Sequence, residues 1–207
     1  MPHFVVTADT GSGQSDQYKV ADSIEKLTQK YPIHSVLLLG DNIYEEGVSS
    51  VNDVQFKTKF EDPYKNIKKR FYLCLGNHDY GNSLFLKSNS DHQVEYSKHS
   101  KKWNMPSKYY SFSKGPCEFF FIDTNLDVMN ESSIMHQLNH MSKLMNQSKR
   151  APIMKKFNII SVLFFLLFSF AFPQTQLGSD IDGEAAGDYL GWSVSMSSDG
   201  SRLAIGA

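Results

Sequence analysis

The reading of the fold turns on "SVLLLGDNIYEEGV", Ser35 to Val48. A short apolar run, bounded by turn residues, reads as a buried strand. Gly40 gives a tight exit, and Asp41 and Asn42 follow at once. The same shape recurs on both sides. "HFVVTAD" is brief and β-branched, and "RFYLCLGNHD" is a third apolar run that stops at Gly-Asn. Between these runs lie amphipathic stretches. Asp16 to Tyr31 sets Val20, Ile24, Leu27 and Tyr31 at helical spacing. Val54 to Tyr64 sets Phe56 and Phe60 four apart on one face. Strand, helix, strand, helix, strand predicts a layered α/β domain whose first strands pair in parallel.

Further along, Val94 to Trp103 reads as helix. "KYYSFS" and "EFFFIDTN" read as paired strands joined through "KGPCE", whose Gly-Pro is a turn signal. Ile134 to Asn146 places Ile134, Leu138, Met141 and Met145 at helical spacing.

The 207 residues suffice for one domain or one domain plus a fragment. Lys and Arg number 21 against 22 Asp and Glu, so no strongly basic field argues for nucleic acid. Two cysteines are too few for a disulfide framework, and Cys74 inside "FYLCLG" reads as a buried thiol packing as a small hydrophobe.

Asp9, then Asp41 with Asn42, then Asn77 with His78, each lie just past the carboxyl end of a predicted strand, where open α/β sheets build their sites. Two chemistries compete for Asp9. Asp9-Thr10-Gly11-Ser12 spells the signature of pepsin-like aspartic proteases, which need a second aspartate to share a proton. The nearest partner is Asp123-Thr124, but Asn125 follows it, and a pepsin-like fold is almost all β. A metal site draws on more residues. Hard cations take carboxylate and phenolate oxygens, and imidazole suits iron and zinc. Asp41 can bridge two metals, Tyr44 can return to one of them, Asn77 offers an amide oxygen, and His78 can meet a phosphate. Singly, each is an ordinary turn or cap residue. The joint pattern favours the metal.

"TADTGSG", "LGDNIYEEGV" and "LGNHDYGN" resemble the first three metal motifs of the calcineurin-like metallophosphoesterases. Tyr44, three residues after Asp41, narrows the resemblance to the purple acid phosphatases. "GDNIYEEGVSSVNDVQFKTKFEDPYKN" and "EYSKHSKKWNMPSKYYSF" are similar to the small, tartrate-resistant type. The resemblance covers about the first 145 residues. It implies a partial layered α/β-β/α sandwich and hydrolysis of phosphate monoesters, small or on a phosphoprotein, by in-line attack of a metal-activated hydroxide. It also implies that Asp9 and Tyr44 bind Fe3+, Asp41 bridges to a divalent metal (Fe2+ or Zn2+), Asn77 binds that second metal, and His78 is the catalytic histidine beside the phosphate.

The family pattern continues with a Gly-His and a Gly-His-x-His motif, whereas this chain has no histidine after His140. His136 and His140, four apart, fit an exposed helical face. The expectation is therefore an impaired centre.

The character of the chain changes at "RAPIMKKFNIISVLFFLLFSFAFPQTQ". Two lysines, an apolar block from Ile159 to Phe172, short of the about 20 residues a span needs, and small residues at its end have the build of a secretory signal peptide. "DGEAAGDYLGWSVSMSSDGSRLAIGA" resembles one FG-GAP-type β-propeller repeat, with "WSVSMS" and "RLAIGA" forming a hairpin across Ser-Asp-Gly. The expected organisation is a truncated phosphoesterase domain over 1–150, a signal-like or transmembrane apolar helix over 154–175, and a β-hairpin repeat fragment over 176–207. Secretion, or membrane association through 157–172, goes with it. The rival readings are a catalytically inactive membrane-associated or surface interaction protein, and a fused reading frame.

Overall fold

The computed structural model describes residues 2–81, 89–147, 193–196 and 202–206. Two compact units divide the chain: Met1–Asn130 together with Tyr189–Ala207, and Glu131–Asp188.

The first unit begins with β1 (His3–Thr7), α1 (Ser15–Lys30) and β2 (Ile33–Leu39). Helix α1 carries Asp16 in its first turn and Lys30 in its last, each matched to the local end of the helix dipole. It stops at Tyr31, whose backbone is extended because Pro32 follows and disfavours the helical region. Ala21 and Ile24 face inward. In β2, Val36, Leu37, Leu38 and Leu39 are all buried, as expected of a central parallel strand covered on both faces.

The predicted helix over Val54–Tyr64 is one α turn, α2 (Val54–Phe56), that widens into a π-helical turn, Lys57–Glu61, closed by the Asp62 amide on the Lys57 carbonyl. Phe56 and Phe60 are both buried and both meet the Trp103 ring edge-on. Strand β3 (Arg70–Cys74) follows. The expected helix at Val94–Trp103 is displaced: α3 spans Asn89–Tyr96, and Trp103–Asn104 is strand β4. Tertiary pairing overrides the helical pattern there. The Phe71 amide donates to Lys102 O, and Ser100 Oγ accepts from the Lys102 and Trp103 amides, turning the chain into the sheet. The first sheet is then β1-β2-β3-β4, parallel throughout.

The second sheet starts with β5 (Tyr110–Lys114) and β6 (Cys117–Phe121), antiparallel, with Lys114 opposite Cys117. Gly115 has a positive φ of 56° and Pro116 fixes a negative one, the sign pattern of a type II′ turn. Tyr110 stacks on Phe121 and Phe112 on Phe119 across the pair, while Tyr72 of the first sheet stacks on Phe112 at 3.8 Å. Strands β7 (Ser193–Met196) and β8 (Arg202–Gly206) pair antiparallel, and β8 adds parallel to β6, giving the order β5-β6-β8-β7. Cys74 is fully buried, as the sequence suggested.

Of the second unit the described part is α4 (Glu131–Gln147). Met141 is buried on it and His136 and His140 are exposed. No helix among the described residues is long and apolar enough to cross a membrane. The apolar block expected as a helix lies outside them.

Candidate metal centre

Backbone hydrogen bonds close the loops after β1 and β2 onto each other. The Asp9 amide donates to Gly40 O, Gly11 N to Asp41 O, and Tyr44 N to Gly11 O, at 3.0–3.3 Å. Asp9 and Asp41 both take positive φ, 56° and 48°. Aspartate tolerates this region better than most residues. The approach is so close that a Cβ on Gly11 would lie 2.2 Å from the Asn42 backbone. Gly76, after β3, is equally constrained, since its Cβ would lie 2.1 Å from Asp41 Oδ1.

The result is a cluster of oxygens. The Tyr44 hydroxyl stands 3.0 Å from Asp9 Oδ1 and 3.0 Å from Asp41 Oδ2. One phenolic proton is shared between the two carboxylates. Burial, then the charges of Asp41 and Asp9, push the Tyr44 phenol far above its ordinary range. A cation placed among the three oxygens reverses that balance. Asp41 Oδ1 accepts from the His78 amide at 3.0 Å, so the third loop joins the first two. His78 Nδ1 lies 2.6 Å from Glu45 O. A carbonyl only accepts, so Nδ1 carries the proton and Nε2 is the ring's remaining hydrogen-bonding atom. The ring packs 4.6 Å from that of Tyr44. Asn77 precedes the single 3₁₀ turn His78–Tyr80 with its side chain exposed.

The donor set fits one hard cation: two carboxylates and a phenol, with an amide on the adjoining loop. It does not fit a pair of cations equally well. Among the described residues no group of three or more His, Cys, Asp or Glu side chains gathers to hold a metal. Among the described residues, the donors left for a second ion are the other oxygen of Asp41 and the amide of Asn77 on the adjoining loop.

The structure also shows residues that the sequence reading passed over. Asp79 is fully buried and accepts from the amides of Asn42, Ile43 and Gly76, from Asn42 Nδ2 and from Gln93 Nε2. Burial pushes its carboxyl up to about 7, against the Gln93 and Gly76 bonds that hold it down. Gln17 braces the first loop: its Oε1 accepts from Gly13 N at 2.7 Å and its Nε2 donates to Lys59 O at 2.6 Å. The buried Tyr64 hydroxyl donates to Thr10 Oγ1. The Lys59 ammonium donates to Tyr44 O and to Gln55 Oε1. Asp123, the aspartate weighed as a protease partner, accepts from the Tyr80 hydroxyl and from the Asn125 amide and side chain. Asp79 carried a signal, standing next to His78 in sequence. Gln17 and Gln93 carried none, because their partners lie on other elements.

The calcineurin-like phosphoesterase model matches residues 2–166, most of the chain. The rabbit (Oryctolagus cuniculus) protein named tartrate-resistant acid phosphatase type 5 is 40% identical over 93 residues, covering 44% of this chain and 27% of its own length. The Arabidopsis thaliana protein named purple acid phosphatase 7 is 33% identical over 126 residues, 59% of this chain and 37% of its own. The chain thus matches well under half the length of these relatives. A solved structure, "GAP50 the anchor in the inner membrane complex of Plasmodium", superposes with a TM-score of 0.54 at 21% identity, over 68% of this chain and 48% of that one, and so shares the fold. From the parallel sheet, the three closed loops and the family match together, the chain belongs to the calcineurin-like phosphoesterases.

Proposed function

We propose that the first unit binds ferric iron through Asp9, Asp41 and Tyr44 and acts on phosphate monoesters in the manner of an acid phosphatase. The observation that carries this is the meeting of the Asp9, Asp41 and Tyr44 oxygens, at 3.0 Å, on the two loops that close onto each other after β1 and β2. When bound, a ferric ion with a divalent neighbour supplies Lewis acidity toward a phosphate oxygen and activation of water. The chain's own residues do the rest. Tyr44, its proton passed to solvent, would hold the ferric ion as a phenolate together with Asp9. Asp41 is held by the His78 amide so that its two oxygens face different partners. Asn77 supplies the amide for the divalent ion. His78, fixed through Nδ1 on Glu45 O, has Nε2 for a phosphate oxygen or for the leaving group's proton. Because the donors suit one ion better than two, turnover is expected to lie well below that of a centre with a full histidine set.

The test is to load the full chain with ferric iron, with and without zinc, and record the visible spectrum and aryl phosphate hydrolysis at acid pH. The expected result is a tyrosinate-to-iron band that Tyr44→Phe abolishes and zinc-dependent hydrolysis that Asn77→Ala removes. Failure to take up iron would overturn the proposal.

A further inference from the structure

We infer that the end of the first sheet opposite Asp9 and Asp41 is a docking surface for an anionic membrane. The four strands of this sheet run parallel, so all begin at one edge and end at the other. The carboxyl ends carry the acidic loops. The opposite edge is basic. Arg70 opens β3, with Lys68 and Lys69 just before it. Lys101 and Lys102 enter beside them, since the Phe71 amide donates to Lys102 O. The second sheet adds Lys114: the next residue, Gly115, lies against Pro2 at the start of β1, where a Cβ would be 3.3 Å from Pro2 Cδ.

These charges are not locally neutralised. Lys68, Lys69, Arg70, Lys101 and Lys114 form no ion pair with another described residue, whereas Lys102 turns inward, its ammonium donating to Tyr64 O at 2.7 Å and standing 4.0 Å from Glu61. Elsewhere Lys19, Lys26, Lys57 and Lys98 each pair with a carboxylate at 2.5–2.6 Å. The chain as a whole is nearly neutral, at −1, so the cations are segregated and not in excess. Their fields overlap on His34, whose imidazole is held down by burial and then by Lys114 and Lys69.

The composition selects the partner. Four of the five unpaired cations are lysines, compact point charges without the planar fork that reads bases or phosphates bidentately. Clusters of four to eight such charges suit a layer of anionic headgroups. Tyr31, at the same edge, is 44% exposed with the Lys30 ammonium 5.1 Å over its ring, an amphipathic side chain of the kind that settles at an interface. Strands of this length separate the two ends by about 17–23 Å. Docking by the basic end would leave the loops that carry Asp9 and Asp41 at the end of the sheet away from the bilayer.

The test is partitioning of the full chain onto phosphatidylcholine vesicles with and without phosphatidylserine, at rising salt. The expected result is binding that needs phosphatidylserine, weakens with salt, and drops about a hundredfold in Lys68→Gln/Lys69→Gln/Lys101→Gln. Lys19→Gln/Lys26→Gln/Lys57→Gln, the same change in net charge elsewhere, is expected to alter it less than about threefold, since those lysines are already paired. Equal binding to neutral vesicles, as an apolar segment at 157–172 would give, overturns the inference. So does an equal loss in the second variant, or tighter binding to duplex DNA than to the charged vesicles.

Discussion

The Asp79 carboxylate accepts from both the backbone and the side-chain amide of Asn42, across the gap between the loops that follow β3 and β2. The same carboxylate also takes the Gly76 amide of its own loop and Gln93 of α3. One buried side chain therefore fixes the distance between the loop that carries Asp41 and the turn that carries Asn77 and His78.

Asp79→Asn keeps the size and removes the fit, because an amide nitrogen would face N–H groups. Buried donors left without an acceptor cost about 1–3 kcal/mol each. The expected destabilisation is at least about 3 kcal/mol by urea unfolding, with an unchanged m-value. A loss under about 1 kcal/mol would show that the loops hold without this knot.

Gly76→Ala places a methyl 2.1 Å from Asp41 Oδ1 and 2.3 Å from the Asp41 amide. Backbone cannot give way as a side-chain tip can, so the Asp41 loop must shift. Expected are a stability loss of about 1–3 kcal/mol and a much larger proportional loss of iron uptake. Equal uptake by the variant would contradict the stated closeness of the two loops.

Asp53 caps α2, accepting from the Gln55 amide and from the amide and hydroxyl of Ser49. Burial raises its pKa, but these hydrogen bonds outweigh it, and the net shift is downward. A depressed carboxylate contributes stability that is present above the unfolded value, about 3.9, and is lost as pH falls through the lower folded value. Asp53→Ala should cost about 1 kcal/mol at neutral pH. The gap between variant and parent should close below about pH 4, in urea titrations at stepped pH. A gap that persists in acid would assign the effect to packing.

Phe60 is 1% exposed and meets the rings of Tyr64, Phe71 and Trp103 edge-on. Phe60→Ala should cost about 3–5 kcal/mol, and Phe60→Leu distinctly less. Comparable costs for the two would mean the cavity collapses and the aromatic edges contribute little.

Much of the site was legible because its residues follow strands whose apolar runs can be read directly. Asp9, Asp41 and Tyr44 converge because parallel strands bring their carboxyl ends to one edge. That is a property of topology, and the alternation of runs announces topology. The helix at Val94–Trp103 was misplaced for the opposite reason. Nothing local tells that Trp103 will pair with Phe71, and a two-residue strand has no period to detect. Gln17, Gln93 and Tyr64 stayed hidden because a polar side chain shows its purpose only through partners distant in sequence. The widened turn at Lys57–Glu61 was likewise invisible: the four-residue spacing of Phe56 and Phe60 suits a regular helix.

Strand β8 sits inside the second sheet, between β6 and β7, although it is the last described strand to leave the ribosome. The first sheet can close from neighbouring β-α-β units as they are made. The flank of β6, with Phe119 to Phe121, must wait for Arg202 to Gly206. During synthesis that flank is a bare ladder of amides and carbonyls, open to any extended peptide that arrives first. The interval between the two strands therefore sets how long that flank stays unpaired on the nascent chain.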